Sequence, residues 1–394
     1  MQADNACVEV TQALSARRPP DESKHPPGSG PEPEGGLAWL ESLSPWPRDG
    51  FGVDRMRALL TELGEPQAGL AAIHVVGTNG KSTTTRLCEE LLLGAGLCTG
   101  SFLSPHVRSW GERVRVNGRE AELEGPLELV RPAAELHRAT QFEVMTAAAF
   151  VVWRDDNVEA AAIEAGLGGR HDATNVLDGV RVVVLTNVSL EHTEVLGATR
   201  EAIAAEKLAV VRPGCTVVVG EPEWEQAALD AGAGRVVVET GPAKAVAVAA
   251  AEAFLGHRVE SSRLDGVALP GRLERRPGEI RDGAHNPAGV RWLVEHLPAG
   301  DYTVLASILE DKDVDGMLET LATVGTRFVA TRSSHPRALG ARELAARAEH
   351  RFDRVEQDDD PRAALELAHA LGEPVLVTGS LYLLGDLDSA RPAR

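Results

Sequence analysis

Ala71-Ala-Ile-His-Val-Val-Gly77-Thr-Asn-Gly80-Lys81-Ser82-Thr83-Thr-Thr85 is the stretch on which the fold turns. The apolar run Ala71–Val76 predicts a buried strand, and Gly77 and Gly80 a tight turn after it. Leu87, Leu91 and Ala95 fall on one face of a following helix, which stops near Gly94 and Gly96. A strand, a glycine turn and a helix N-terminus together form a phosphate cradle. Glycines let backbone N–H groups wrap the oxygens, the helix end adds partial positive charge, and Lys81 adds a full one. Gly77, Thr78, Asn79, Gly80 and Lys81 are the candidate contacts, and Ser82 or Thr83 can offer a hydroxyl to phosphate or to its magnesium ion. The first glycine of the general GxxxxGK[ST] pattern would fall at Val75, so that pattern is not met although its structural context is. A guanine-reading NKxD motif is absent, which argues against a GTPase switch and leaves kinase, ATPase or ligase chemistry.

Outward from the loop, the pattern alternates strands and helices, the sequence form of a parallel α/β sheet. Strands are predicted at Ala71–Val76, Ala160–Ile163, Arg181–Leu185 and Thr216–Val219, then around Ile280 and at Thr303–Ile308, Phe328–Thr331 and Val375–Thr378. At ~150 residues per domain, 394 residues predict two or three domains. The division expected is a tail over 1–36, a large ATP-binding α/β domain over 37–271 and a smaller Rossmann-like α/β domain over 272–394. The tail expectation rests on Met1–Gly36, which has six of the 23 prolines and no aromatic residue, too little apolar surface to offset its ordering entropy. An amphipathic helix is predicted through Val53–Leu63, with Met56, Leu59, Leu60 and Leu63 on one face.

Composition narrows the class of partner. The formal charge of −19 argues against nucleic acid or an anionic membrane, while leaving room for an anionic small substrate in a locally positive pocket. No apolar run approaches the ~18 residues that span a bilayer, and the N-terminus lacks the layout of a secretion signal. Cys7, Cys88, Cys98 and Cys215 show no CxxC or metal spacing, so free thiols in a reducing cytoplasm are expected. The working expectation is a cytoplasmic monomer acting on small molecules.

Further motifs follow in order: Ser101-Phe-Leu-Ser104-Pro105-His106, Arg113-Val-Arg-Val-Asn-Gly118, Thr140-Gln-Phe142-Glu143 and Thr146-Ala-Ala-Ala-Phe150. Then come Glu164-Ala-Gly-Leu-Gly-Gly-Arg170-His-Asp172-Ala-Thr-Asn175, Thr186-Asn187, Glu191-His192-Thr193 and Glu206-Lys207. Pro270-Gly-Arg272, Asp282-Gly-Ala-His285-Asn286-Pro287, Asp311-Lys-Asp-Val314 and Val377-Thr-Gly-Ser-Leu-Tyr382 close the series. With Gly77–Lys81 this set resembles the folylpolyglutamate synthase/dihydrofolate synthase family of the Mur ligase superfamily, from about Leu37 to Leu387. Three departures stand out. Ser82-Thr83 replaces the Gly-Ser usual after the loop lysine, Glu191 replaces the usual Asp before His192, and the stretch from Gly220 to Pro270 is short.

The resemblance implies ATP- and magnesium-dependent ligation of L-glutamate to a folate or dihydropteroate through an acyl phosphate. It implies magnesium ligands at Ser104, Glu164 and His192, a carbamylated Lys207 as a further one, and catalytic roles for Lys81, Lys207 and His192. Arg272, Asp282 and His285 match nucleotide contacts, and Phe142 and Arg170 match positions on the pterin side. The residues themselves leave alternatives. Lys207 shares a helix face with Ile203 and Val210, at i−4 and i+3, and so points coreward, where burial favours the neutral amine; the alternative is a snorkelling surface lysine. His192 alone reads equally as a hydrogen-bonded loop residue, and Phe142 as plain core. Asn286-Pro287 reads as the N-cap and first residue of a helix, and Asp358-Asp-Asp360 as solvated surface or a cap. Two other functions compete: a cell-wall Mur ligase, which carries an extra N-terminal sugar-nucleotide domain, and a nucleotide-binding protein that has lost ligase chemistry.

Overall fold

The computed structural model describes residues 34–47 and 50–389. The expected tail lies outside the described residues except for Glu34, Gly35 and Gly36, and Gly36 opens a helix running to Ser42. The chain divides into two compact units. One holds the residues up to Ser104 together with Arg113–Asp265, the other Pro105–Glu112 and the residues from Gly266 on.

The first unit is built on eight strands: β1 (Ala71–Val76), β2 (Thr99–Phe102), β3 (Val114–Val116), β4 (Arg119–Glu120), β5 (Ala160–Glu164), β6 (Val180–Leu185), β7 (Thr216–Val219) and β8 (Arg235–Val238). Their order is β4-β3-β2-β5-β1-β6-β7-β8, parallel from β2 to β8 with β3 and β4 antiparallel at one edge. Every residue of β1 and β5 is buried, as expected for central strands covered on both faces. The helix Lys81–Gly94 packs on this sheet beside Ala243–Leu255.

The second unit has six strands: β9 (Glu274–Arg276), β10 (Glu279–Arg281), β11 (Thr303–Ala306), β12 (Arg327–Ala330), β13 (Arg354–Gln357) and β14 (Val375–Thr378). They run β13-β12-β11-β14-β10-β9, with only β9 antiparallel. Apolar clusters fill both faces, one around Phe328, Met317 and Leu344, the other around Leu305, Val377 and Leu383. The expected class, a parallel phosphate-loop sheet and a smaller Rossmann-like α/β unit, is the one observed.

Several elements differ from the sequence expectation. The strand predicted over Thr303–Ile308 ends at Ala306, and the one predicted over Phe328–Thr331 spans Arg327–Ala330. The helix predicted through Val53–Leu63 spans Asp54–Glu62, and Leu63 is its half-buried C-cap. β2 has no apolar run, yet it is buried because its polar groups are satisfied: Ser101 Oγ donates to Glu89 Oε2 at 2.7 Å and Thr99 Oγ1 to Leu97 O at 3.0 Å. β8 and β13 are edge strands with exposed ends, where burial imposes no alternating pattern. Cys88 and Cys215 are buried free thiols, Cys98 is a half-buried one, and Cys7 lies outside the described residues.

Candidate active site

The phosphate loop leaves the C-terminal end of β1, between β5 and β6, the edge at which parallel sheets collect ligands. Gly80 sits at φ +80° and ends the turn, so the first amides of the helix Lys81–Gly94 lack intrahelical partners and present an anion-binding terminus. Gly77 is at φ +149°, and a Cβ there would lie 1.8 Å from Thr186 Oγ1, so only glycine fits. The other half of the loop is tied to the segment after β6. Thr78 N donates to Asn187 O at 2.9 Å, Asn79 N to Asn187 Oδ1 at 2.9 Å, and Thr186 Oγ1 to Asn79 O at 2.7 Å. The Thr78 and Asn79 amides are thus both held by Asn187. Lys81 Nζ donates to Thr78 O at 3.2 Å.

Glu164 ends β5 opposite Val75 and is 2% exposed. Its carboxylate is doubly anchored: Ser82 Oγ donates to Oε1 at 3.1 Å, and Ser104 N donates to Oε2 at 3.0 Å. Ser82, through its hydroxyl, and Ser104, through its backbone amide, thus meet at the Glu164 carboxylate, which places carboxylate and hydroxyl oxygens side by side. Such a set fits magnesium, which takes few protein oxygens and completes its shell with phosphate and water. No cluster of three or more His, Cys, Asp or Glu ligands exists among the described residues.

Lys207 lies on the helix Arg200–Leu208, capped by Thr199. It is buried as its helix face implied, and its Nζ donates to Gly77 O at 2.8 Å. Burial, reinforced by the charge of Lys81, lowers its pKa to about 7 against the opposing pull of Glu191, Asp172 and Glu206. The Gly166–Asp172 loop packs on this helix at close range: a Cβ on Gly169 would lie 2.5 Å from Lys207 O. Asp172 folds that loop, accepting from Leu167 N at 2.8 Å and Thr174 N at 3.0 Å. Thr174 Oγ1 in turn meets His74 Nε2 at 2.8 Å, and burial lowers His74 to about 3, so its imidazole is neutral.

His192 is the left-handed residue (φ 50°) before the short helix Thr193–Leu196, whose Val195 and Leu196 amides donate to its carbonyl. Phe142 opens the helix Gln141–Asp155 beside the capping box of Thr140 and Glu143, with its ring edge-on to Phe102 at 5.7 Å. Arg170 is exposed and pairs with Glu206 at 3.3 Å.

In the second unit, Asp282 is buried and accepts from Leu273 N and Ala284 N, both at 2.8 Å. Burial raises its pKa against the neighbouring Arg272 charge, and Arg272 Nη1 donates to Gly271 O at 3.0 Å. His285 Nδ1 lies 2.8 Å from Gly283 O. Asn286 caps the helix Pro287–His296 by accepting from Gly289 N, and Asp360 caps Pro361–Leu371. Sequence reasoning named Thr186 and Asn187 only as a motif and gave them no role. An amide and a hydroxyl directly after a strand beside the glycine turn were the available signal.

The Mur ligase middle domain family matches residues 75–213, and the Mur ligase glutamate ligase domain matches residues 271–381. The dihydrofolate synthase/folylpolyglutamate synthase of Mycobacterium tuberculosis is 31% identical over 81% of this chain and 82% of its own length. The structure of Escherichia coli FolC in complex with DHPP and ADP superposes with a TM-score of 0.80 at 29% identity, covering 89% of this chain and 95% of that one. The bifunctional enzyme of Yersinia pestis, complexed with AMPPNP and a Mn ion, gives a TM-score of 0.80 at 27% identity, covering 91% of this chain and 98% of the other. These relatives are folate enzymes, which decides against the cell-wall alternative. This chain belongs to the folylpolyglutamate synthase/dihydrofolate synthase family of the Mur ligase superfamily, and it is an ATP-dependent ligase that joins L-glutamate to a folate.

Proposed function

We propose that the first unit activates a pterin carboxylate as an acyl phosphate, which the amine of L-glutamate then attacks. The observation that carries this is Glu164, held by Ser82 and Ser104 directly beside the phosphate loop. The amides at the start of the helix Lys81–Gly94 hold the phosphates, and Lys81 neutralises charge that develops during transfer. Ser104, Glu164 and His192 would hold magnesium, which supplies Lewis-acid stabilisation of the phosphoryl oxygens.

Lys207, whose amine burial shifts toward the neutral form, can take up CO2: an N–C bond forms, one proton leaves, and an anionic carbamate results. That carbamate would be a further ligand for magnesium. Phe142 supplies an apolar wall and Arg170 a cation for the pterin substrate. For the second unit, the motif match supports nucleotide contacts at Arg272, Asp282 and His285, where the Arg272 charge opposes the effect of burial on the Asp282 carboxyl.

The domain division at 271/272 and a monomeric, cytoplasmic enzyme without nucleic-acid or membrane partners belong to the same proposal. Free thiols at Cys88, Cys98 and Cys215 support a reducing compartment. No helix among the described residues is long and apolar enough to cross a membrane. The test is ADP release with glutamate and with dihydropteroate or tetrahydrofolate in turn. Release that depends on both glutamate and a pterin supports the proposal; release indifferent to the pterin refutes it.

A further inference from the structure

The segment 186–189 after β6 has no regular structure, so its backbone groups must find partners outside a ladder. Both polar backbone groups of Val188 are held by side chains. Val188 N donates to Glu221 Oε2 at 2.8 Å, and Arg200 Nε donates to Val188 O at 2.8 Å. Arg200 Nη2 and Glu221 Oε1 are themselves paired at 3.0 Å, so one ion pair grips a single residue's backbone from both sides. Trp224 completes the device: its Nε1 donates to Glu221 Oε2 at 2.8 Å, and the Arg200 guanidinium lies 5.2 Å over its ring. Glu223 adds a second carboxylate on Arg200 at 2.6 Å.

The neighbours of Val188 carry this grip to the phosphate loop. Asn187 accepts from the Thr78 and Asn79 amides, and Ser189 N donates to Thr78 Oγ1 at 3.0 Å. Val188 itself is 1% exposed, which anchors the segment in the core. A half-exposed ion pair contributes only ~0–1 kcal/mol to global stability, so its hold on one peptide segment calls for a local role. We propose that Arg200 and Glu221, braced by Trp224, are positioning residues for ATP: they fix the 187–189 backbone, and through it the Thr78–Asn79 half of the phosphate loop. This rests on the assignment of the Gly77–Ser82 loop to ATP phosphates. Neither residue belongs to the motifs that led to that assignment.

The test is steady-state kinetics of the full chain, separating KM for ATP, KM for glutamate and kcat. Misplacing a site group from a distance can cost up to ~100-fold; here Arg200→Ala and Glu221→Ala should each raise KM for ATP about ten-fold. KM for glutamate should stay within about two-fold, a split that general destabilisation would not produce. The double variant should be no worse than about ten-fold, because each single change breaks the same grip. Glu221→Gln keeps an acceptor for Val188 N–H and should recover most of the loss. If the alanine variants fail to fold, Arg200→Lys, which keeps the charge without the planar fork, should still raise KM for ATP about three-fold. Unchanged KM for ATP in the folded Arg200 and Glu221 variants overturns the grip alone. Unchanged KM for ATP in Lys81→Ala as well overturns the phosphate-loop assignment and the proposal with it.

Discussion

Glu164→Gln separates the chemistry of Glu164 from its structural role. The carboxylate accepts from Ser82 Oγ at 3.1 Å and from Ser104 N at 3.0 Å. A glutamine of the same shape can turn its oxygen to Ser104 N–H and its NH2 to the Ser82 hydroxyl, which accepts as readily as it donates. Both contacts survive and only the charge is lost. Stability should therefore stay within about 0.5 kcal/mol of wild type, a Tm change of no more than about 2 °C. Glu164→Ala strands the Ser104 amide and leaves a void, costing about 2–4 kcal/mol and lowering Tm by roughly 5–10 °C. Turnover should fall in both variants by about 100-fold or more, the cost typical of losing one preorganised electrostatic group. Differential scanning fluorimetry and magnesium-dependent ADP release measure the two quantities. A glutamine variant that keeps more than about a tenth of wild-type kcat, or that melts as low as the alanine variant, would refute the reasoning.

Other consequences follow from single residues. Burial puts the free, uncarbamylated Lys207 amine at about 7 in the folded chain against 10.5 for an exposed lysine, so between those values the unfolded chain binds more protons and stability rises with pH, by up to roughly 5 kcal/mol from this group. Lys207→Met should flatten that rise in urea titrations at pH 7 and 9; an equal rise in both proteins contradicts it. Lys207→Ala should abolish turnover while ATP binding survives, with partial rescue by short carboxylic acids; full activity in that variant removes the carbamate. Gly77→Ala, whose Cβ would meet Thr186 Oγ1 at 1.8 Å, should raise KM for ATP at least about ten-fold, whereas an unchanged value would show that the loop tolerates a shift. Asp360→Ala removes the acceptor for the Arg362 and Ala363 amides and should cost about 1 kcal/mol of stability with kcat unaltered; lost activity would show that Asp360 is more than a cap.

Much of the fold was legible because its information is local. The β1 strand, the glycine turn and the following helix show as an apolar run, two glycines and a 3.6-residue period. The buried position of Lys207 follows from Ile203 one turn earlier on its helix, whereas Val210, expected on the same face, lies beyond the helix end at Leu208; the caps at Asn286 and Asp360 follow from residue types that accept from helix amides. What was not legible depends on pairings between distant segments. β2 is polar in sequence and buried only because Glu89, from another element, accepts from Ser101. Arg200 and Glu221 read as surface charges until the Val188 backbone is placed between them. His74 sits within an apolar run as a strand residue would, and its partner Thr174 is 100 positions away.

The central claim is that a pterin carboxylate is activated by phosphorylation before the glutamate amine attacks, and isotope transfer tests it most directly. A pterin acceptor labelled with heavy oxygen in its carboxylate is incubated with ATP, magnesium and L-glutamate, and the released inorganic phosphate is analysed by mass spectrometry. Phosphorylation of the carboxylate followed by displacement leaves one acceptor oxygen on the departing phosphate. The account predicts one labelled oxygen in phosphate for each amide formed, and unlabelled phosphate alongside labelled amide product would contradict it.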